Sequence, residues 1–377
     1  MPTTPSDIPE RLVLEGVPRV GFYPSMRAAG ESRCPEDLPF PSCLRACLEY
    51  LGENLGCRHA PPRGPSWGLG CAYAHLLGTS GLAFSLTWRP GWHEDNADMR
   101  HMVGGRDAAV RRAIESAGYA HERVEREQAS EGEMRRLIFK SIARQRRPLI
   151  AFGVIGPPEG CLVTGYGEGG DVLIGWSFFQ GMPEFAGDLA FEETGQFRKR
   201  DWYQNTQGLV IIGDKRPRPS QKAVDRSALE WALEVMRTPV TCDDRRNGLA
   251  AYVAWADALL CDDDFCEKGE DPLRRRHRIH DDAVGAVAEA RWYGSLFLAR
   301  VAGDNDRMAP ELYAAASCFA EEHRLMWQVW ELVGGIGSEQ MHIKLSEPQV
   351  RRQIAPLILQ ARESDARAAE HIASALA

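Results

Sequence analysis

The chain has 377 residues, 44% hydrophobic and 26% charged, a soluble globular composition long enough for two domains that each bury a core. A formal charge of -8 excludes a general nucleic-acid binder, because phosphate binding needs a basic face to displace condensed counterions. Ten cysteines are dispersed along the chain and no charged-then-apolar segment opens it, so a reduced, cytoplasmic setting is expected. No apolar run approaches the roughly 20 residues of a membrane helix. The pairs Cys43/Cys47 and Cys261/Cys266 lack the second half of a zinc site; neither metal nor cofactor is expected.

In chain order, the first forty residues are rich in Pro, Gly and charge, with strand-like islands at 13–18 and 20–23. Ser42 is the expected N-cap of a helix in which Leu44, Cys47, Leu48 and Leu51 recur at helical spacing until Gly52; Cys43 then falls in its first turn. Residues 66–78 are Gly-broken at first and helical after Cys71, and 82–88 reads as a strand. Helices are expected at 106–117 and 131–146, and strands at 148–155, 161–166, 171–179 and 208–212, with a hairpin turn at 168–170, making an antiparallel sheet. After a Pro-rich, charged linker at 215–221 the pattern is helical at 223–236, 248–260, 281–301, 310–333 and 347–376. The expected class is α+β, with an α+β domain over 1–214 and a helical bundle over 222–377.

Two cysteines have a physical case as nucleophiles. A thiol at a helix start sits among unpaired N–H groups and partial positive charge that favour thiolate, which recommends Cys43. Cys161 follows the rigid turn Gly156-Pro157-Pro158-Glu159-Gly160, and the two sulfurs are expected to face each other. The loop from Trp88 to Asn96 carries two indoles and several ionisable groups, the composition of a binding loop. His93 in it is the expected base, with Asp95 or Asn96 orienting the ring; His101 is a weaker substitute, and His75 sits mid-helix. Trp67, Trp88, Trp92 and Trp176 are candidates for substrate contact, and Glu159 for steering a cationic substrate. His277-x-x-His280-Asp281-Asp282 lacks the repeated Glu-x-x-His spacing of di-iron bundles.

Leu44, Leu48, Tyr50 and Gly52 in the first helix, Trp67-Gly68-Leu69-Gly70 with Tyr73, and Val163-Thr164-Gly165-Tyr166 follow one another in an order that resembles the papain-like fold of C39-type peptidases. The nearer likeness, over residues 35–213, is to the butirosin acyltransferase N-terminal family. That resemblance implies a papain-like domain with a cysteine at the first helix, a histidine on the sheet and an acidic or amide residue on the next strand. Superposed on the pattern, the nucleophile position holds Pro39, the histidine position holds Gly160 or Cys161, and the region of Gly175-Trp176-Ser177 has no carboxylate. The expected activity is cysteine-dependent acyl transfer or amide hydrolysis on a small molecule or short peptide, with an acyl carrier protein as a candidate donor. The alternatives are a degenerate papain-like ligand-binding or regulatory protein, and a thiol-based metal or redox sensor.

Overall fold

The computed structural model describes residues 8–30, 34–53, 71–187, 189–266 and 269–377. Its strands are β1 (Leu12–Val13), β2 (Thr87–Trp88), β3 (Tyr119–Glu125), β4 (Leu149–Phe152), β5 (Gly160–Gly167), β6 (Val172–Trp176), β7 (Ala190–Phe191), β8 (Phe197–Arg200), β9 (Gly208–Lys215) and β10 (Arg246–Asn247). Its helices are α1 (Tyr23–Ala28), α2 (Pro39–Tyr50), α3 (Ala72–Ser80), α4 (Ala108–Ser116), α5 (Glu131–Phe139), α6 (Pro183–Ala186), α7 (Trp202–Asn205), α8 (Gln221–Arg237), α9 (Leu249–Leu260), α10 (Glu270–Gly303), α11 (Ala309–Leu332), α12 (Met341–Ser346) and α13 (Pro348–Leu376). Two compact units form, each from separated stretches: one from the described residues up to 53 with 71–73 and 114–218, the other from 74–113 with 219–377.

The first unit is built on an antiparallel sheet in the order β3-β9-β4-β5-β6-β8-β7, with β1 beside β5. All of β4 and β5 is buried, as expected for strands covered on both faces, which read as continuous apolar runs. Their register sets Phe152 opposite Gly160 and Ala151 opposite Cys161, and side chains alternate faces along each strand. One face carries Phe152, stacked on Phe40 of α2 with ring centroids 6.2 Å apart. The other face carries Ala151, Cys161 and Val163 into a cluster with Met134 and Ile138 of α5. Gly175 of β6 is required by close approach, since a Cβ there would sit 2.1 Å from the Leu162 carbonyl oxygen.

Among the element boundaries that differ from the sequence reading, three have a clear physical cause. Helix α2 begins at Pro39, not after Ser42, because proline at the first helical position presets φ and lacks a donor the helix start could not use. Residues 82–88 are strand only at Thr87–Trp88; Leu82–Phe84 is a 3-10 turn, opened by Gly81 at φ 90° and fixed by the Ser80 hydroxyl accepting from Leu82 N–H at 3.2 Å. Helix α10 starts at Glu270, eleven residues before the expected 281, since the charged stretch preceding His280 is an exposed helical face rather than a loop.

The second unit is helical. Long α10, α11 and α13 pack with α9 around a core of Tyr252, Trp255, Val287, Met326, Ile354 and Ile358. A short ribbon pairs β2 with β10, placing Trp88 opposite Arg246 and Thr87 opposite Asn247. The chain is thus α+β, with a helical C-terminal region. No described helix is long and apolar enough to cross a membrane.

Candidate active site

Both thiols singled out in the first unit are sealed. Cys43 is 0% and Cys161 1% exposed. With the helix beginning at Pro39, Cys43 lies past the first turn, and Pro39 and Pro41 remove two of the N–H groups that a thiolate or oxyanion at that end would use. The Cys43 thiol instead points at the Gly160 carbonyl, 3.6 Å away. Burial pushes it well above the usual thiol range, and the neighbouring Cys161 and Cys47 add to that.

The expectation that the two sulfurs face each other is overturned by the alternation of β5. Gly160 faces α2, where a Cβ would meet the Phe40 Cα at 3.3 Å; the next residue, Cys161, therefore points to the opposite face. There burial raises its thiol too, although the Ser177 hydroxyl and the backbone near Ile155 and Val154 work the other way. Glu159 is half-buried in the turn and its carbonyl accepts from Gly153 N–H at 3.0 Å. Trp176, 6% exposed, packs in the same unit under the Arg19 guanidinium, 4.7 Å from the ring centroid. Trp67 lies outside the described residues.

In the second unit the Trp88–Asn96 loop is pinned, not open. Trp88 is fully buried and stacks on Trp255 at 5.7 Å, with Trp92 set edge-on to it and donating from Nε1 to Asp264 at 3.2 Å. Asn96, 1% exposed, accepts from Arg89 N–H at 2.9 Å and donates to the Gly91 carbonyl at 3.1 Å. These indoles and this amide are spent on folding the loop. His93 contacts the Pro90 carbonyl through Nε2 at 3.1 Å, so the expected His93–Asp95 pairing does not form.

Asp95 serves His101 instead. Its Oδ2 is 3.1 Å from His101 Nε2, and the other ring nitrogen, Nδ1, lies 3.5 Å from the sulfur of Cys242. His101 is positioned by the 3-10 turn Met99–His101, capped by Asp98, which accepts from Arg100 N–H at 2.8 Å. Cys242 is brought up by the strand that pairs with β2: Val240 bridges to Arg246, and Thr241 N–H donates to the Arg245 carbonyl at 2.9 Å. The two residues after the thiol, Asp243 and Asp244, hold φ of 54° and 56°. Left-handed backbone costs on the order of 1 kcal/mol per residue and gathers at functional turns.

Charge and exposure in this line are ordered. Arg245, buried, donates to the Asp95 carbonyl at 3.1 Å and pairs with its carboxylate. Burial opposes ionisation of Asp95, but the Arg245 hydrogen bond and charge, with His101, outweigh it and hold the carboxyl below its usual range. Burial, then Arg245, lowers His101, leaving the ring neutral near pH 7 with a lone pair to accept a proton. Cys242 is exposed. With Nε2–H directed at Asp95, Nδ1 is the acceptor facing the thiol, the order of nucleophile, base and orienting carboxylate.

His101 and Asp95 stood out in the sequence by residue type, but Cys242 did not. It lies 141 residues from His101, and the local signal, a cysteine before two aspartates that tolerate left-handed backbone, carries no chemistry by itself. Among the described residues no group of three His, Cys, Asp or Glu side chains is arranged to hold a metal ion. No protein-family model matches the chain, and no curated protein matches it.

Proposed function

We propose that this protein is a cysteine-dependent acyl-transfer or amide-hydrolysing enzyme whose nucleophile is Cys242. The observation that carries the reading is the continuous line from the exposed thiol through His101 to the ionised Asp95, 3.5 Å and 3.1 Å long in its two steps. In the first half-reaction Sγ bonds to a carbonyl carbon and the thiol proton passes to His101 Nδ1, making an imidazolium that faces Asp95. The tetrahedral adduct collapses as the departing alcohol, thiol or amine takes that proton, leaving a thioester on Cys242. Water or an acceptor amine then attacks the thioester, gives its proton to His101, and releases Cys242 as the thiol. An exposed sulfur suits an acyl group delivered on a small molecule, a peptide end or a carrier protein.

The test is alkylation by iodoacetamide near neutral pH, with each site resolved by mass spectrometry. Cys242 should react about ten-fold faster than the exposed Cys261 and Cys266, and His101→Asn should remove the advantage. Equal rates at the three cysteines, or no change in His101→Asn, overturns the reading. An activated ester should give a burst of one equivalent that Cys242→Ser abolishes.

A second reading concerns the first unit alone, and one observation favours it. Gly160 rests against the Pro39–Phe40 peptide at the start of α2, so the two positions at which the butirosin acyltransferase family would carry its cysteine and histidine adjoin while holding Pro39 and Gly160. This supports a papain-like module that keeps the scaffold without the dyad, a ligand-binding or regulatory partner of the chemistry in the second unit. Cys43 and Cys161 should then resist alkylation until the protein unfolds; rapid labelling of either in the native state counts against it.

A further inference from the structure

Around Arg291 the interior of the helical unit holds more acid than base. Arg291 of α10 is fully buried and grips Asp365 of α13 with two bonds, Nε to Oδ1 at 2.9 Å and Nη2 to Oδ2 at 2.7 Å. A second carboxyl, Glu322 of α11, also at 0% exposure, lies 3.4 Å from Arg291 Nε and accepts the Tyr252 hydroxyl of α9 at 2.9 Å. Its other oxygen, Oε1, is buried with no partner. One guanidinium thus meets two carboxyls.

Every element packed against this centre can be named. From α9 comes Tyr252, whose hydroxyl burial pushes well above its usual range; from α10, Arg291; from α11, Glu322; from α13, Asp365. The turn at 83–85 offers only carbonyls, those of Ala83, Phe84 and Ser85, which accept from Arg291 at 2.8, 3.3 and 3.4 Å. Arg367 of α13 lies outward, bonded to the Ser364 hydroxyl and beside the Cys318 thiol. No further cation of the described residues is bonded to either carboxyl, so two carboxylates would leave one uncompensated negative charge in a sealed core, which is costly.

We propose that Glu322 is kept as a neutral carboxylic acid, and that this proton lets Arg291 act as a positioning residue for the site around Cys242. The second clause rests on the reading given under the proposed function. The carbonyls Arg291 holds stand just before β2, whose partner β10 follows the Cys242 turn, and Gly248 N–H at the far end of β10 donates to the Leu86 carbonyl at 2.9 Å. With the proton, Arg291 is shared between Asp365 and the turn. Without it, the guanidinium is drawn to a second anion and the hold on residues 83–85 weakens. Burial and the nearby Asp365 both drive Glu322 toward the neutral form, and the two carboxyls lie close enough to hydrogen-bond to each other, which they can do only with a proton between them.

Infrared spectroscopy in heavy water decides the proton. A carboxylic-acid carbonyl band should be present at about pH 8, where Asp282, raised to about 6, is ionised, vanish in Glu322→Gln, and survive in Glu321→Gln, the half-exposed neighbour. A band absent from the wild type, or persisting in Glu322→Gln, overturns the proposal. Because the acid form is favoured in the fold, its contribution is complete below the unfolded carboxyl's range and is lost as pH rises through the folded value. The Tm advantage of Glu322→Gln over wild type should therefore grow from neutral to alkaline pH; a constant or shrinking difference also overturns it. Alkylation of Cys242 should fall several-fold at alkaline pH relative to Cys261 in the wild type but not in Glu322→Gln, and an identical trend in both removes the positioning role. If Cys242 has no special reactivity at any pH, the enzyme reading fails while the infrared band still reports on Glu322.

Discussion

An imidazole serves as a base only when one nitrogen is fixed by an acceptor and the other faces the proton it will take. His93 meets the first condition through Pro90, whereas His101 meets both. Replacing Asp95 by Asn should therefore lower Cys242 alkylation about ten-fold and shift its pH profile, since the Arg245 charge then acts on His101 with only Asp98 of the two carboxylates left to oppose it; His93→Asn should leave both unchanged. Site-resolved labelling from acid to alkaline pH checks this. At this scale the sequence was informative about residue types and silent about partnership. The loop with Trp88, Trp92 and Asp95 drew notice for its chemistry, but its tryptophans turned out to be hydrocarbon for the core, because large aromatic surface is stabilised most by complete burial. Whether Cys161 faced Cys43 hung on strand phase, which one residue of register decides and no local pattern reveals.

Among elements, the apolar runs of β4, β5 and β6 and the helices at 221–237, 249–260, 309–332 and 348–376 were legible, since periodicity and continuous hydrophobicity report burial directly. Strand β3 was not: Tyr119–Glu125 is half polar, an edge that among the described residues pairs only with β9. The two-residue strands β2 and β10 are too short to leave a pattern, yet they bring Asp95 and Cys242 together. Asn247 secures them by donating to the Val235 and Thr238 carbonyls at 2.6 and 2.7 Å. Asn247→Ala should cost about 2 kcal/mol by leaving buried acceptors unpaired, read as a lower midpoint in urea unfolding. In the other unit, Gly175→Ala should cost about 3 kcal/mol or prevent folding, because its methyl group would overlap the Leu162 carbonyl and neither strand can retreat from a shared ladder. A midpoint within error of wild type would contradict the close approach.

Over the molecule, stability should respond to pH through groups in the helical unit that pull in opposite directions. Burial lowers His280 to about 3, and lowers His277 and His323 as well. Each therefore contributes stability that is complete above the unfolded histidine range and is lost as pH falls through it. Asp282, raised to about 6 by burial and by Asp281, contributes stability that is complete below the unfolded carboxyl range and is lost as pH rises toward that value. Glu322, proposed to hold its proton in the fold, pulls the same way as Asp282, so the histidine part is read by difference: on going from about pH 7 to about pH 5, His280→Gln should gain several degrees of Tm relative to wild type. Calorimetry across that interval measures it. The make-up of this unit has a further practical outcome. Asp95 and His101 arrive with residues 74–113 and Cys242 with residues 219–377, so a fragment expressed from residue 222 onward carries the thiol without its imidazole and its acid. Such a piece should be chemically inert however well its helices assemble, and mixing in the missing stretch as a separate polypeptide offers a direct route to complementation.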